Sequence, residues 1–160
     1  MRSDSLNKSS GSYRRETQAV EQIDNVAAVT RTLLASESGT LFQVDMSTVD
    51  NDVTLTLPAV STSAGVYYDF CFTVDSDDDA DFIVKADAAG TDIYGGIITL
   101  AANSTVDAFA GISTITVDGS VAQSAEGMKL SFLCDGTNWH VSGHIMTAVG
   151  TVHLVGAAGV

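Results

Sequence analysis

From about residue 29 onward, apolar and polar residues alternate with a period of two, which is the pattern of half-buried β-strands. Val53, Leu55 and Leu57 alternate with threonines until Pro58 ends the run. The pattern predicts about eight to ten strands spaced by roughly 8–12 residues, in an all-β body built as an antiparallel β-sandwich, jelly roll or barrel. The remaining alternating or short apolar runs lie at 40–46, 67–74, 82–85, 93–100, 106–110, 114–117, 130–134, 139–144 and 151–155.

Two glycine-containing segments predict where strands turn or bend. Residues 135–138, Asp-Gly-Thr-Asn, separate two alternating runs. Asp-Gly at this place indicates a hairpin, because glycine tolerates the positive φ that the turn requires. The Gly95–Gly96 pair lies inside a run, and it predicts a bulge or a sharp bend.

The parity of the aromatic residues predicts which of them are buried. Tyr68 and Trp139 share parity with apolar neighbours, so we expect them in the core. Tyr67 falls on the opposite face, and the pattern leaves Tyr94 undecided. Exposed aromatic residues at these positions would bind a glycan or pack against a partner subunit.

The first 30 residues differ from the rest and predict an anchoring arm ahead of a body at 31–160. Residues 1–16 are serine-rich and show no periodicity. Val20, Ile23, Ala27 and Thr30 have the spacing of a short amphipathic helix over roughly 17–28, although an extended arm is the competing interpretation.

Charge separates the two parts further. Residues 1–31 hold five basic and four acidic side chains, whereas residues 32–160 hold two basic and sixteen acidic ones. We therefore expect the body to bind neither nucleic acids nor anionic membranes, since both require clustered lysine and arginine. The sequence also shows no secretory signal and no apolar run of membrane-spanning length.

The acidic run at 75–81 is the strongest candidate for a metal site. Asp75, Asp77, Asp79 and Asp81 alternate as in the first half of a calcium-binding loop. The EF-hand pattern then fails, because alanine stands where its glycine and its final glutamate should be. We expect a solvated acidic turn without metal, and the alternative is a Ca²⁺ site completed by other loops or by a second subunit.

Histidine and cysteine give no stronger signal. His140 and His144 lie four residues apart on one strand, about 13 Å at 3.3 Å per residue, which is too far for one zinc ion. Cys71 and Cys134 lie inside apolar runs, so we expect free buried thiols, with a disulfide between core strands as the alternative. The sequence contains no G-x-S-x-G motif and ties no nucleophile to a base, and we expect a protein that is not an enzyme and binds no cofactor.

Five short phrases follow one another along the chain: LLASESGTLF at 33–42, VTLTLPA at 53–59, AGVYYDF at 64–70, DIYGG at 92–96 and CDGTNWHVSG at 134–143. Taken in this order, they resemble small structural proteins of tailed bacteriophages, notably capsid decoration, head-fibre and tail-fibre modules of phages that infect marine bacteria. The resemblance spans about 30–145 and implies a β-rich module, commonly trimeric, on the virion surface. It implies no catalytic residues.

The leading functional expectation is a capsid decoration or cement protein that forms a homotrimer and docks on the major capsid protein at the capsid surface. Its arm would lie on the shell, with arginines paired to capsid carboxylates, while the acidic body projects outward. The alternatives are a tail-fibre or collar adsorption module and a carbohydrate-binding or Ca²⁺-dependent adhesive module. The expected anchoring residues are Tyr13, Arg14, Arg15, Val20, Ile23 and Arg31.

Overall fold

The computed structural model describes residues 18–47, 51–73, 80–87, 90–100, 105–117 and 126–146. Within these ranges the chain forms a seven-stranded and a four-stranded sheet, joined in part by two short 3-10 turns at Ala35–Glu37 and Val60–Thr62. The strands are β1 (Val20–Asp24), β2 (Val29–Thr32), β3 (Leu41–Asp45), β4 (Val53–Thr56), β5 (Tyr67–Phe72), β6 (Phe82–Lys85), β7 (Ile93–Leu100), β8 (Thr105–Ile112), β9 (Thr114–Val117), β10 (Lys129–Cys134) and β11 (Trp139–Met146).

The first six strands alternate between the two sheets. The large sheet has the order β1-β3-β5-β10-β11-β7-β8, and the small sheet has the order β2-β4-β6-β9. Each chain segment leaves one sheet, crosses to the other and returns in its original direction, so that β1, β3 and β5 are parallel, as are β2, β4 and β6. This part of the fold therefore resembles a short two-sided solenoid, which the later antiparallel strands complete.

The predicted all-β, sandwich-like body is confirmed, whereas the antiparallel arrangement is wrong for much of it. Five of the nine strand pairs in the described residues are parallel. The reason is that a period of two marks a half-buried strand without specifying the direction of its neighbour. The observed pairings do not specify a jelly roll.

Of the two interpretations of residues 17–28, the helix is wrong and the extended chain is observed, and the strands of the two sheets begin before residue 31. Residues 20–24 and 29–32 are the edge strands of the large and the small sheet. Val29 pairs with Val53 and Ile23 pairs with Val44, which completes both sheets at one end. The β-branched residues of this segment favour strands, and sheet pairing gives them a partner that an isolated helix would lack.

The core lies between the sheets and is dominated by aromatic side chains. Phe42 and Phe70 stack on neighbouring strands with ring centroids 5.2 Å apart, and Phe82 of the opposite sheet meets the Phe70 ring edge at 5.5 Å. Tyr68 and Trp139 are fully buried and stack at 5.7 Å, which confirms their predicted position in the core. The Phe70–Phe82 contact ties the two sheets together, and the other two contacts pack neighbouring parts of the large sheet.

The hairpin turn predicted at 135–138 is present, and a strand irregularity lies beside the predicted bulge or bend at Gly95–Gly96. The Asp135 carboxylate accepts hydrogen bonds from the backbone N–H groups of Thr137 and Asn138, each at 2.7 Å, and Gly136 has a φ of +95°. This turn joins β10 to β11 in an antiparallel hairpin. The pairing of β7 with β8 is irregular between Ile93 and Tyr94, directly before the glycine pair.

Candidate interaction surfaces

The structure describes only half of the predicted anchoring residues. Tyr13, Arg14 and Arg15 lie outside the described residues. Val20 is 58% exposed on β1, where it remains accessible to a partner. Ile23 is buried against the core, so the prediction that it anchors the chain to a capsid is wrong.

Arg31 forms ion pairs within the chain, a role that the sequence did not predict. Its guanidinium bonds the carboxylates of Glu21 on β1 and Glu37 in the first 3-10 turn, and it lies 5.8 Å from the centre of the Phe42 ring. The hydrogen bond with Glu21 does most to raise the pKa of Arg31. The cluster joins the edge strands of the two sheets over the last aromatic layer, and so it closes the end of the core.

The proposed calcium residues are largely outside the described structure. Asp75, Asp77 and Asp79 fall in the range 74–79, which is not described. The backbone N–H of Asp81 donates to the Asp52 side chain at 3.0 Å, which connects the starts of β4 and β6. Within the described ranges, no three His, Cys, Asp or Glu side chains form a group able to hold a metal ion.

The cysteines are free thiols on opposite faces of the large sheet. Cys134 is buried, and burial raises the pKa of its thiol. Cys71 is half-buried on the outer face, where it pairs with Lys129 at the other end of β10. The prediction of free thiols is confirmed, although only one of them is fully buried.

The histidines of β11 have separate partners, as their spacing predicted. The His144 ring nitrogen Nε2 lies 3.2 Å from the Gly127 carbonyl oxygen. His140 Nε2 lies 2.8 Å from the Asp135 carboxylate and so links the hairpin turn to its second strand. His153 lies outside the described residues.

The hairpin turn gives the chain a pH dependence that can be measured. The hydrogen bond with His140, followed by the Asn138 and Thr137 backbone N–H groups, lowers the pKa of Asp135 to about 2. A carboxylate with a depressed pKa in the folded state stabilises the fold above its unfolded pKa, near 3.9, and the contribution disappears as the pH falls through about 2.

We therefore expect Asp135→Asn to lower the midpoint of thermal unfolding, with the full difference present at about pH 5. The difference from the unmodified chain should shrink steadily between about pH 4 and pH 2, as protonation removes the charge from Asp135. Thermal unfolding of both proteins across this range measures the effect, and solvent exposure of the pair should keep it small. A difference that stays constant down to pH 2 would contradict the assignment.

The outer face of the large sheet carries a groove of about 360 Å³ between β5, β10 and β11. One row across the three strands consists of Tyr67, Leu133 and His140, which are neighbours in the strand register. The adjacent row consists of Asp69, Ser131 and Ser142. The first row contains two large apolar side chains and a histidine. The second row, which lies beside it along the groove, contains one carboxylate and two hydroxyl groups.

The polar row is held by hydrogen bonds. One oxygen of the Asp69 carboxylate accepts from the Ser131 hydroxyl at 2.7 Å, and the other accepts from the Gln18 amide at 3.0 Å. Each carboxylate oxygen has a further lone pair for a ligand hydroxyl. Asp69 thus has a fixed orientation and spare accepting capacity at the rim of the groove.

A second feature of this face lies on the β7–β8 hairpin. Ile98, Leu100 and Val106 are 45%, 43% and 70% exposed, and Ile98 pairs with Val106 across the two strands. We call these three residues the hairpin patch. Large exposed apolar side chains grouped in this way are typical of a contact surface.

Sequence reasoning found Tyr67 but missed the rest of the groove. Parity correctly placed the Tyr67 side chain outside, where it is 44% exposed. Asp69 lies two residues further along the same strand, but the remaining groove residues come from β10 and β11, more than 60 positions later in the chain. Only the pairing of β5 with β10 brings them together, and no local pattern encodes that long-range register.

No protein-family model, curated protein or solved structure matches the chain. In the described parts of the chain, no helix has the length and apolar character needed to cross a membrane.

Proposed function

We propose that the chain is a structural protein of a bacteriophage virion, a capsid decoration protein that docks on the major capsid protein through its N-terminal segment. The supporting observation is the change of charge where the described fold begins. Residues 1–17 carry four basic and two acidic side chains, whereas residues 18–160 carry three basic and eighteen acidic ones. This difference in net charge is larger than the one obtained when the chain is divided at residue 31.

The pairing of Arg31 supports this division of roles. Its charge is already compensated by Glu21 and Glu37, so Arg31 acts inside the body. Arg14 and Arg15 then remain as the arginine pair with which the anchoring segment meets carboxylates of the shell. The acidic body faces the solvent, where its charge keeps decorated particles apart.

The decoration role also fits a body whose main structural feature is a large buried core. A protein that binds only the assembled shell stabilises that shell by mass action and needs no reaction of its own. We further propose that three copies associate through the hairpin patch, because a closed symmetric oligomer removes its apolar surface from water. The proposed location is the capsid surface, after synthesis and assembly in the host cytoplasm.

Co-sedimentation with capsids assembled without this protein tests the proposal. The full chain should bind at stoichiometric levels, and a chain that begins at Gln18 should keep its fold and lose binding. A chain that begins at Leu33 would not test the anchoring segment, because it also lacks β1 and β2 and so disrupts the two sheets. Circular dichroism checks the fold of each protein, and light scattering should give the mass of three chains.

A matched pair of double variants separates the anchor from general charge. Arg14→Ala with Arg15→Ala should weaken capsid binding by at least about tenfold, equivalent to 1.4 kcal/mol. Lys85→Ala with Lys129→Ala removes the same charge from exposed positions of the body and should leave binding unchanged. If the full chain does not bind capsids, decoration is the wrong function, and adsorption at a tail or host surface becomes the better account.

A further inference from the structure

Neither docking on a shell nor trimer formation through the hairpin patch involves the residues that line the groove on the large sheet. Its volume of about 360 Å³ is in the range of small-ligand sites, and it combines apolar walls with a few polar groups. Tyr67 is 44% exposed and Leu133 is 51% exposed, although both lie in the middle of the sheet. This exposure of large apolar side chains beside an oriented carboxylate indicates a binding site.

We propose that the groove binds a neutral pyranose unit of a glycan. A pyranose ring has an apolar C–H face and a rim of hydroxyl groups. The ring of Tyr67 and the side chain of Leu133 offer an apolar surface for the C–H face. Asp69, Ser131 and Ser142 offer one carboxylate and two hydroxyls to the sugar hydroxyls in the adjacent row.

Tyr67 of the first row and Asp69 of the second are oriented before a ligand arrives. The Tyr67 backbone N–H is fixed by the Ser38 hydroxyl at 3.1 Å, and the Tyr67 ring end lies over Gly39. A Cβ at position 39 would lie only 3.1 Å from the Tyr67 hydroxyl oxygen, so glycine leaves room for the ring in this position. The Ser131 and Gln18 hydrogen bonds fix Asp69, which reduces the ordering that binding would require.

Charge selects a neutral sugar over an acidic one. Asp69 and His140 both line the groove, and His140 is paired with the Asp135 carboxylate. The body carries eighteen acidic side chains in residues 18–160, so a sialic acid or a sulfated sugar would meet repulsion. A neutral hydroxyl, by contrast, donates a charge-assisted hydrogen bond to the Asp69 carboxylate.

Titration of the isotope-labelled full chain with neutral oligosaccharides tests this inference. The probes end in glucose, galactose, mannose or N-acetylglucosamine, and a sialylated oligosaccharide serves as the acidic comparison. At least one neutral probe should shift the amide resonances of β5, β10 and β11, and the sialylated probe should not. The inference is overturned if no neutral probe shifts them, or if the shifts map only to the hairpin patch.

Variants of the groove and a matched control locate the site. Tyr67→Ala and Asp69→Ala should each weaken binding at least about tenfold, whereas Tyr67→Phe should retain it. Leu34→Ala removes another exposed apolar side chain, 57% accessible and outside the groove, and should have no effect.

Ser142→Tyr fills the groove without removing a core contact, so it should abolish binding even if Tyr67→Ala fails to fold. Binding that survives both Tyr67→Ala and Ser142→Tyr would refute the assignment. Capsid docking depends on residues 1–17, so the two proposals fail independently.

Discussion

Trp139→Ala is expected to lower the free energy of unfolding by about 3–5 kcal/mol, the usual cost of truncating a large buried aromatic side chain. Trp139 is fully buried, stacks on Tyr68 and donates its indole N–H to the Pro58 carbonyl at 3.2 Å. It therefore joins β11 of the large sheet to the segment that leaves β4 of the small sheet. Its truncation leaves a cavity and also an unpaired carbonyl.

The measurement is urea unfolding followed by far-UV circular dichroism, because Trp139 is the single tryptophan and its fluorescence disappears in the variant. Trp139→Phe keeps an aromatic ring and loses the bond to Pro58, so it should cost less, about 1–2 kcal/mol. Leu133→Ala truncates an exposed apolar side chain of the same hairpin and should stay within about 0.5 kcal/mol. A cost below about 1 kcal/mol for Trp139→Ala would contradict the core described here.

From β3 onward the sequence predicted most strands well, because burial alternates along most of them. Along β10, for example, Leu130, Phe132 and Cys134 are buried while Lys129, Ser131 and Leu133 are exposed. The neighbour relations were less accessible. Parallel and antiparallel strands share the same period of two, so the alternation of β1 to β6 between sheets left no local trace.

The error over 17–28 has a similar origin. Val20 and Ile23 satisfied a helical spacing, yet Val20 is exposed and only Ile23 packs into the core. The decisive contacts are hydrogen bonds with β3, for instance from the Leu41 N–H to the Ala19 carbonyl at 2.8 Å, across some twenty residues. Tertiary pairing overrides weak helical propensity in such a segment.

The candidate sites show the same division between local and long-range information. The identity of Tyr67 as an outward aromatic residue followed from parity, because it depends only on its own strand. The pairing of Arg31 with Glu21 depends on two sheets meeting at their edges, and a charge count assigned Arg31 to a partner protein instead. Charge composition alone cannot distinguish an arginine that closes a core from one that docks.

Gly95→Ala is expected to lower the free energy of unfolding by about 3 kcal/mol or more, since overpacking of backbone against backbone has no flexible side chain to relieve it. Gly95 has a φ of +138°, and a Cβ there would lie 2.0 Å from the Val141 carbonyl oxygen on β11. The added methyl group would push β7 away from β11. That is the parallel pairing through which β7 and β8 join the large sheet.

Gly65→Ala is the matched control that separates the steric clash from the backbone conformation. Gly65 has a φ of +82° and open space around its virtual Cβ, so alanine there should cost only the left-handed conformation, about 1–2 kcal/mol. Urea unfolding gives both costs, and hydrogen exchange should show faster opening of β7 and β8 in Gly95→Ala. Equal costs for the two variants would mean that β7 can move away from β11 freely. Glycine at position 95 would then be needed only for its backbone conformation and not for the close approach of β7 to β11.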